Sequence, residues 1–159
     1  MKNSNAKFTR RSFIGKQADD LGNLISIQIK PIYDSLGIIV PVKSCSIIHQ
    51  LKQSKQASLA DLAKLLNQSH QLVNQKLPRL LKLNLINKKN DINDKRRKIF
   101  YLTAKGMQQA ALLEKHSLSQ VYDNLSQELG ADLYQVLSSA ISQLKQKNLL
   151  SRFEEVHNK

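Results

Sequence analysis

The densest group of positively charged side chains in this 159-residue chain lies between residues 88 and 98. The group comprises Lys88, Lys89, Lys95, Arg96, Arg97 and Lys98. Ammonium and guanidinium groups bind phosphate oxygens, and arginine also suits a narrow groove of strong negative potential. This concentration of cations predicts a surface that faces a polyanion, although a solvated charged turn would have the same composition.

A second set of polar side chains lies upstream, between residues 69 and 79. The set comprises Ser69, His70, Gln71, Asn74, Gln75 and Arg79. Asparagine and glutamine can make paired hydrogen bonds to adenine in the major groove of DNA. The same helix would form its packing face from the apolar side chains that recur among them, namely Val73, Leu77, Leu80 and Leu81. The polar face either contacts DNA or is the solvated side of an ordinary helix.

The distribution of charge favours nucleic acid as the polyanion. The chain carries a formal net charge of +13. Residues 43–105 contain fourteen basic and three acidic residues, so they alone carry +11. A basic surface that served only solubility would be spread more evenly along the chain, so this concentration indicates a phosphate-binding segment.

Composition argues against several other classes of protein. The single cysteine, Cys45, rules out an internal disulfide framework and a zinc site built on several cysteines. The histidines lack metal-ligand spacing, and no nucleophile–base pair or glycine-rich phosphate loop is found, so we expect no enzyme, metal or cofactor. No apolar run has the length of a membrane span, and the N-terminus lacks the apolar core of a secretory signal. We therefore expect a cytoplasmic protein.

The elements around these residues predict a mainly α fold with one small β-hairpin (α+β). Helices are predicted over residues 19–36, 43–53, 59–66, 70–83, 104–129 and 133–150, and strands over 85–89 and 98–102. Ser58 and Ser69 are expected to cap helices, and Asn84 to take the left-handed conformation at a helix end. Pro31 is expected to kink the first helix, and Pro78 either to bend its helix or to end it early.

The order of these elements predicts a winged helix-turn-helix. Residues 59–83 are two short helices joined by a tight turn, and the hairpin that follows is the wing. As one integrated domain, the chain would comprise a flexible basic arm (1–18), an N-terminal dimerisation helix and connector (19–42), the winged helix-turn-helix (43–103) and C-terminal dimerisation helices (104–159). The flanking helices carry apolar stripes that a homodimer would bury, unless they cover the core of a single chain.

Three stretches of this sequence resemble the MarR-type (multiple antibiotic resistance regulator) family. Residues 90–106 are similar to the family wing, which reads Asp/Asn-Pro-x-Asp-x-Arg and then Leu-Thr-x-x-Gly. Residues 59–63 resemble the first helix of its motif, and residues 80–86 resemble the Leu-x-x-x-Gly-Leu-Ile at its exit. Ile92 stands in place of the usual proline, and Asn84 in place of the usual glycine.

The resemblance assigns roles to particular residues. It implies that Asp94 fixes the wing and that Arg96 reaches the minor groove, and Lys88, Lys89, Lys95, Arg97 and Lys98 are then expected to bind phosphates. It also implies a small aromatic or anionic ligand between the dimerisation helices and the winged core, with Tyr33, Cys45 and Tyr122 as candidate pocket residues. Packing in the core or interface is the alternative for the tyrosines. Cys45 is expected to be a buried, inert thiol, and a redox sensor is the alternative.

We therefore expect a transcriptional regulator, acting as a repressor, that binds a pseudo-palindromic site on double-stranded DNA as a homodimer. The recognition helix would enter the major groove and the wing the minor groove. The alternative is a winged-helix module whose basic wing binds RNA or a protein partner.

Overall fold

The computed structural model describes residues 10–157, and its fold is mainly α with one small antiparallel sheet, as predicted. The helices are α1 (Ile14–Leu36), α2 (Cys45–Ser54), α3 (Leu59–Leu65), α4 (His70–Lys82), α5 (Ala104–Lys115), α6 (Ser119–Leu129), α7 (Leu133–Gln146) and α8 (Leu149–His157). The strands are β1 (Gln56–Ser58), β2 (Ile86–Asn90) and β3 (Lys98–Leu102).

The first helix begins earlier than the sequence analysis predicts. We expected an arm through residue 18, but a 3₁₀ turn at Arg10–Phe13 leads directly into α1 at Ile14. An ion pair between Lys16 and Asp20, one helical turn apart at 2.5 Å, supports this early turn. Residues 1–9 of the expected arm lie outside the described part of the chain. Helix α1 continues through Pro31 and ends at Gly37, whose left-handed φ of 70° no other common residue adopts as easily.

Capping residues fix the two helices of the helix-turn-helix. The Ser58 hydroxyl accepts from the Asp61 amide at 3.1 Å, and the Asp61 carboxylate accepts from the Ser58 amide at 2.9 Å, which together form a capping box. The Ser69 hydroxyl accepts from the Leu72 amide at 3.2 Å at the start of α4. Helix α4 continues past Pro78 to Lys82, so the proline does not end it early.

The sheet has three strands rather than the two expected. Its order is β1-β3-β2, with both pairs antiparallel. Strand β1 is only three residues long and pairs Ala57 with Phe100. It was missed because three residues are too few to show the alternation by which a strand is recognised. This third strand joins the start of the helix-turn-helix to the wing.

The helices and the sheet enclose an apolar core. Side chains that are essentially inaccessible to solvent include Ile47, Ile48, Leu51, Leu62, Val73, Leu77, Leu80, Leu85 and Ile86. They come from α2, α3, α4 and the start of the wing. The predicted apolar faces of these elements are therefore the buried ones, which orients the polar face of α4 away from the core.

The C-terminal part is more divided than expected. The predicted single helix over 104–129 is two helices, α5 and α6, and the Ser117 hydroxyl between them accepts from the Ser119 amide at 3.3 Å. Helix α8 starts separately, where the Asn148 side chain accepts from the Ser151 amide at 2.9 Å. Packing divides the chain into two compact units between Lys115 and His116. Helix α5 therefore belongs with the winged core.

Candidate nucleic-acid interface

Helix α4 presents the polar set predicted from the sequence. Its core side is fixed by Val73, Leu77 and Leu80, which are at most 2% exposed. The opposite side carries the exposed side chains, namely Ser69, His70, Gln71, Asn74, Gln75 and Arg79. The amide side chains lie in the first two turns, next to the capped N-terminus, where four backbone N–H groups are free of helical partners. This end of the helix can therefore offer both side-chain and backbone donors to an anion.

Arg79 differs from the rest of the set because it lies in the last turn of α4. Its side chain lines a cavity together with residues of α1 and of the connector 38–43. The structure therefore separates Arg79 from the amide side chains at the start of the helix.

The tip of the wing is a turn built by two aspartates. The Asp91 carboxylate accepts from the Asn93 amide at 2.9 Å, and the Asp94 carboxylate accepts from the Arg96 amide at 3.0 Å. The Asp94 carbonyl also accepts from the Arg97 amide at 2.8 Å. These hydrogen bonds hold the turn in the place of the missing proline, where Ile92 is 96% exposed. Asp94 therefore stabilises the wing turn by accepting hydrogen bonds from the Arg96 and Arg97 amides.

The wing lysines and Arg96 extend into solvent. Lys88, Lys95 and Arg96 are exposed. The Lys89 ammonium lies 5.6 Å from the centre of the Tyr101 ring, and the Lys98 ammonium donates to the Asn90 side chain. These five cations have no carboxylate partner within the described residues, so they remain available to phosphates.

Arg97 is arranged differently from its neighbours. Its Nη2 donates to Asp61 Oδ2 at 2.6 Å and to Ser58 Oγ at 2.9 Å, and its Nε lies 3.7 Å from Asp91 Oδ2. Hydrogen bonds from Ser58, and then the Arg97 guanidinium, hold the pKa of the Asp61 carboxyl below its usual value. The phosphate-binding role that we expected for Arg97 would require its guanidinium to leave these partners.

The end of the wing is joined to α5 through a close backbone contact. The Thr103 amide donates to the Leu85 carbonyl at 3.1 Å, the Thr103 hydroxyl donates to the Asn84 carbonyl at 2.6 Å, and that hydroxyl accepts from the Gly106 amide at 3.0 Å. A Cβ atom on Gly106 would lie 1.9 Å from the Leu85 oxygen. The Leu-Thr-x-x-Gly pattern therefore encodes a packing requirement that fixes the wing on α5.

A buried glutamine, absent from the sequence analysis, holds the connector. The Gln109 side chain accepts from the Ile39 amide at 2.8 Å and donates to the Gly37 carbonyl at 2.9 Å. It is 8% exposed, and α5 carries it. The sequence contains no signal that separates Gln109 from its neighbour Gln108.

The predicted ligand residues are partly brought together. Tyr33 lines a cavity of about 650 Å³. Cys45 is half-buried rather than buried as expected, and its sulfur lies 3.4 Å from the Tyr33 hydroxyl, although Cys45 is absent from the cavity lining. Burial raises the pKa of the Cys45 thiol, and the hydrogen bond with Tyr33 opposes this only in part. Tyr122 belongs to α6, in the second unit.

The cavity combines an apolar wall with cations. Ile38 and Val40, each 2% exposed, contribute to the wall. Lys30, Lys43 and Arg79 are among the lining residues, and the only acid among them, Asp34, is paired with Lys30 at 2.6 Å. The cavity therefore has a net positive lining.

Within residues 10–157, no cluster of three or more histidine, cysteine, aspartate or glutamate side chains could hold a metal ion. Each helix in that range is too short or too polar to cross a membrane.

Comparison with known proteins identifies the central segment. Residues 44–106 match the sequence model of a family described as the winged helix DNA-binding domain. No curated protein sequence matches the chain.

Solved structures of MarR-family regulators have the same fold. The transcriptional regulator PcaV from Streptomyces coelicolor, in complex with its natural ligand, is 15% identical with a TM-score of 0.61, and the match covers 92% of this chain and 99% of that one. A mutant of MarR from E. coli in complex with operator DNA is 18% identical with a TM-score of 0.55, over 80% and 95% of the two chains. The heme sensor PefR from Streptococcus agalactiae, in complex with heme, is 18% identical with a TM-score of 0.55, over 86% and 95%. At the level of fold, the predicted resemblance is confirmed.

Proposed function

We propose that this chain is a transcriptional repressor that binds a pseudo-palindromic DNA site as a homodimer and is released by a small anionic ligand. The observation that carries the proposal is the exposed polar face at the capped start of α4, inside a segment that matches a DNA-binding domain. The basic wing follows within the same segment. A dimer bound across a promoter would repress by excluding other proteins from it.

Base readout in this proposal belongs to the first two turns of α4. Gln71, Asn74 and Gln75 are exposed there and can bond the edge of adenine. Arg96, at the tip of the wing, suits the minor groove, and Lys88 and Lys95 would bind phosphates without reading sequence. Loss of a base contact should therefore relax specificity, whereas loss of a phosphate contact should weaken binding to all sequences equally.

Apolar surface supports the homodimer. In the first unit, Ile14 and Ile27 on α1 are 72% and 69% exposed. In the second unit, Leu150, Phe153 and Val156 on α8 are 65%, 58% and 73% exposed. Large apolar side chains repeated along helices rarely stay in water, and a two-fold partner is the commonest means of covering them.

The cavity supports control by a ligand. Its volume of about 650 Å³ is in the range of small-molecule sites, and its cations favour a carboxylate attached to an apolar or aromatic body. Because Arg79 lines the cavity and belongs to the recognition helix, a ligand that binds Arg79 would contact the same rigid element as Gln71 and Asn74. Such a ligand releases DNA only if it binds more tightly to a conformation that fits DNA poorly.

The test is a selection of random duplex DNA on the purified protein, followed by sequencing and a salt titration on the recovered sequence. We expect an inverted repeat with half-sites about one helical turn apart. The triple substitution Gln71→Ala, Asn74→Ala and Gln75→Ala should abolish the preference, whereas Gln53→Ala, an exposed control on α2, should retain it. Retention of DNA without a shared sequence, or preference for RNA, would refute the proposal.

The ligand is tested separately with benzoate and 4-hydroxybenzoate as probes. Either probe should raise the thermal unfolding temperature and release the selected duplex, and Arg79→Ala should lose both effects. Stabilisation without release would show that the cavity binds anions but does not control DNA binding.

A further inference from the structure

Arg97 and Asp61 join two elements that are distant in sequence. Asp61 lies in the first turn of α3, the first helix of the helix-turn-helix, and Arg97 lies between the tip of the wing and β3. The distance between Arg97 Nη2 and Asp61 Oδ2 is 2.6 Å. The neighbouring backbone is also paired, because Ser58 and Ile99 are partners in the β1–β3 ladder. The wing is thus attached to the helix-turn-helix in two ways. Strand β3 of the wing pairs with β1 through the backbone, and the Arg97 side chain, next to the turn of the wing, pairs with Asp61.

The Asp61 carboxylate is the centre of this attachment. Its Oδ2 accepts from the Ser58 amide at 2.9 Å, from the Ser58 hydroxyl at 2.7 Å and from Arg97. The Ser58 hydroxyl also accepts from Arg97 at 2.9 Å. The cap of α3 and the wing therefore share one hydrogen-bonded network, so that a displacement of the wing disturbs the cap as well.

We propose that Arg97 is a positioning residue, which with Asp61 holds the wing in its DNA-binding orientation and leaves DNA contact to Lys95 and Arg96. The proposal rests on the proposed function for its DNA-binding part. A wing that is already fixed in the free protein loses less conformational freedom on binding, which favours affinity. The network also neutralises Asp61, whose unpaired carboxylate would otherwise repel phosphates.

Asp61→Asn distinguishes this role from a phosphate contact by the sign of its effect. Removing an acidic group from a DNA-binding domain should strengthen binding through electrostatics alone. Asparagine still offers an oxygen to the Ser58 amide, so the cap is largely kept while the charge that holds Arg97 is lost. If Arg97 positions the wing, Asp61→Asn should instead weaken binding to the selected duplex by about two- to fivefold, the range expected for a partly exposed ion pair.

A second measurement uses the free protein and no DNA. Trypsin cleaves after Lys95 and Arg96 when the wing opens, and mass spectrometry can map these cuts. Cleavage should be about two- to fivefold faster in Asp61→Asn and in Arg97→Gln, because the open population rises with the loss of the ion pair. Asp123→Asn, which removes the same charge from an exposed position on α6, should leave cleavage at the wing unchanged. This readout remains valid if the proposed DNA function fails.

The double variant completes the test. Because the two residues act through one interaction, Asp61→Asn with Arg97→Gln should be no worse than the more severe single variant. Additive losses would overturn the proposal. So would tighter DNA binding by Asp61→Asn, or unchanged cleavage in both single variants, since either result leaves Arg97 as a phosphate contact. Arg97→Lys should recover part of the binding, and circular dichroism confirms that each variant is folded.

Discussion

The contact between Gly106 and the Leu85 carbonyl allows a specific prediction of stability. A methyl group added at residue 106 would lie 1.9 Å from that oxygen and 3.0 Å from the carbonyl carbon. Real Cβ atoms essentially never lie within 3.0 Å of such a neighbour, so α5 and Leu85 must separate by about 1.1 Å or more. Both partners are backbone, which cannot rotate away as a flexible side chain would.

The expected cost of Gly106→Ala follows from what the separation breaks. Overpacking of this kind costs about 1–3 kcal/mol. The Thr103 amide hydrogen bond to Leu85, at 3.1 Å, would lengthen as well, at about 0.5–1.5 kcal/mol. The higher helix propensity of alanine than of glycine offsets only about 1 kcal/mol of this loss. We therefore expect a net loss of about 0.5–3.5 kcal/mol in the free energy of unfolding.

Urea unfolding followed by circular dichroism, at one fixed protein concentration, measures this loss. Gly22→Ala is the matched control, because Gly22 is also helical and a Cβ there would have no neighbour within 4 Å. The control should be stabilised by about 0.4–1 kcal/mol. If Gly106→Ala were as stable as the wild type or more so, the close approach of α5 to Leu85 would be refuted, and with it the structural explanation of the Leu-Thr-x-x-Gly pattern.

Three further predictions concern side chains that support the site. Gln109→Leu should lower the free energy of unfolding by about 1–3 kcal/mol, because it leaves a connector N–H and C=O unpaired, whereas Gln108→Leu should change it little; equal losses in urea unfolding would contradict this. Iodoacetamide should alkylate Cys45 more slowly in the folded than in the unfolded chain at pH 8, because partial burial raises the pKa of the thiol; equal rates would contradict the expectation of an inert thiol. Because the pKa of Asp61 is lowered by folding, its stabilising contribution is present above the usual value of 3.8 and is lost as the pH falls through the lowered value. Asp61→Asn should therefore lose less stability than the wild type between pH 5 and pH 2, and parallel stability curves would argue against the lowered pKa.

The features that the sequence predicted well depend on residues within one or two turns of each other. Ser69 caps α4, and Asn84 has a left-handed φ of 56°. Both are local conformational preferences that need no knowledge of the rest of the fold. The apolar spacing of α4 is also local, so the exposed polar face could be assigned before any tertiary contact was known.

The features that were missed depend on partners far along the chain. Strand β1 exists because Ala57 pairs with Phe100 in β3. Gln109 resembles any other helical glutamine until Ile39 and Gly37, about 70 residues earlier, are placed against its side chain. Composition and periodicity describe residues and their neighbours in the sequence. They therefore cannot show contacts between residues that are far apart along the chain.

The two adjacent wing arginines show the same limit at the candidate site itself. Arg96 and Arg97 have the same chemistry, and total charge counts them equally. The wing turn directs the Arg97 guanidinium to Asp61, whereas Arg96 is exposed and uses only its backbone amide within the turn. The charge available to phosphate is therefore smaller than the number of cations in the wing, because one of them is neutralised within the protein. A charge count predicted which segment would face the polyanion, whereas the position of the Asp61 carboxylate, 36 residues away, distinguishes Arg96 from Arg97, whose guanidinium is already paired.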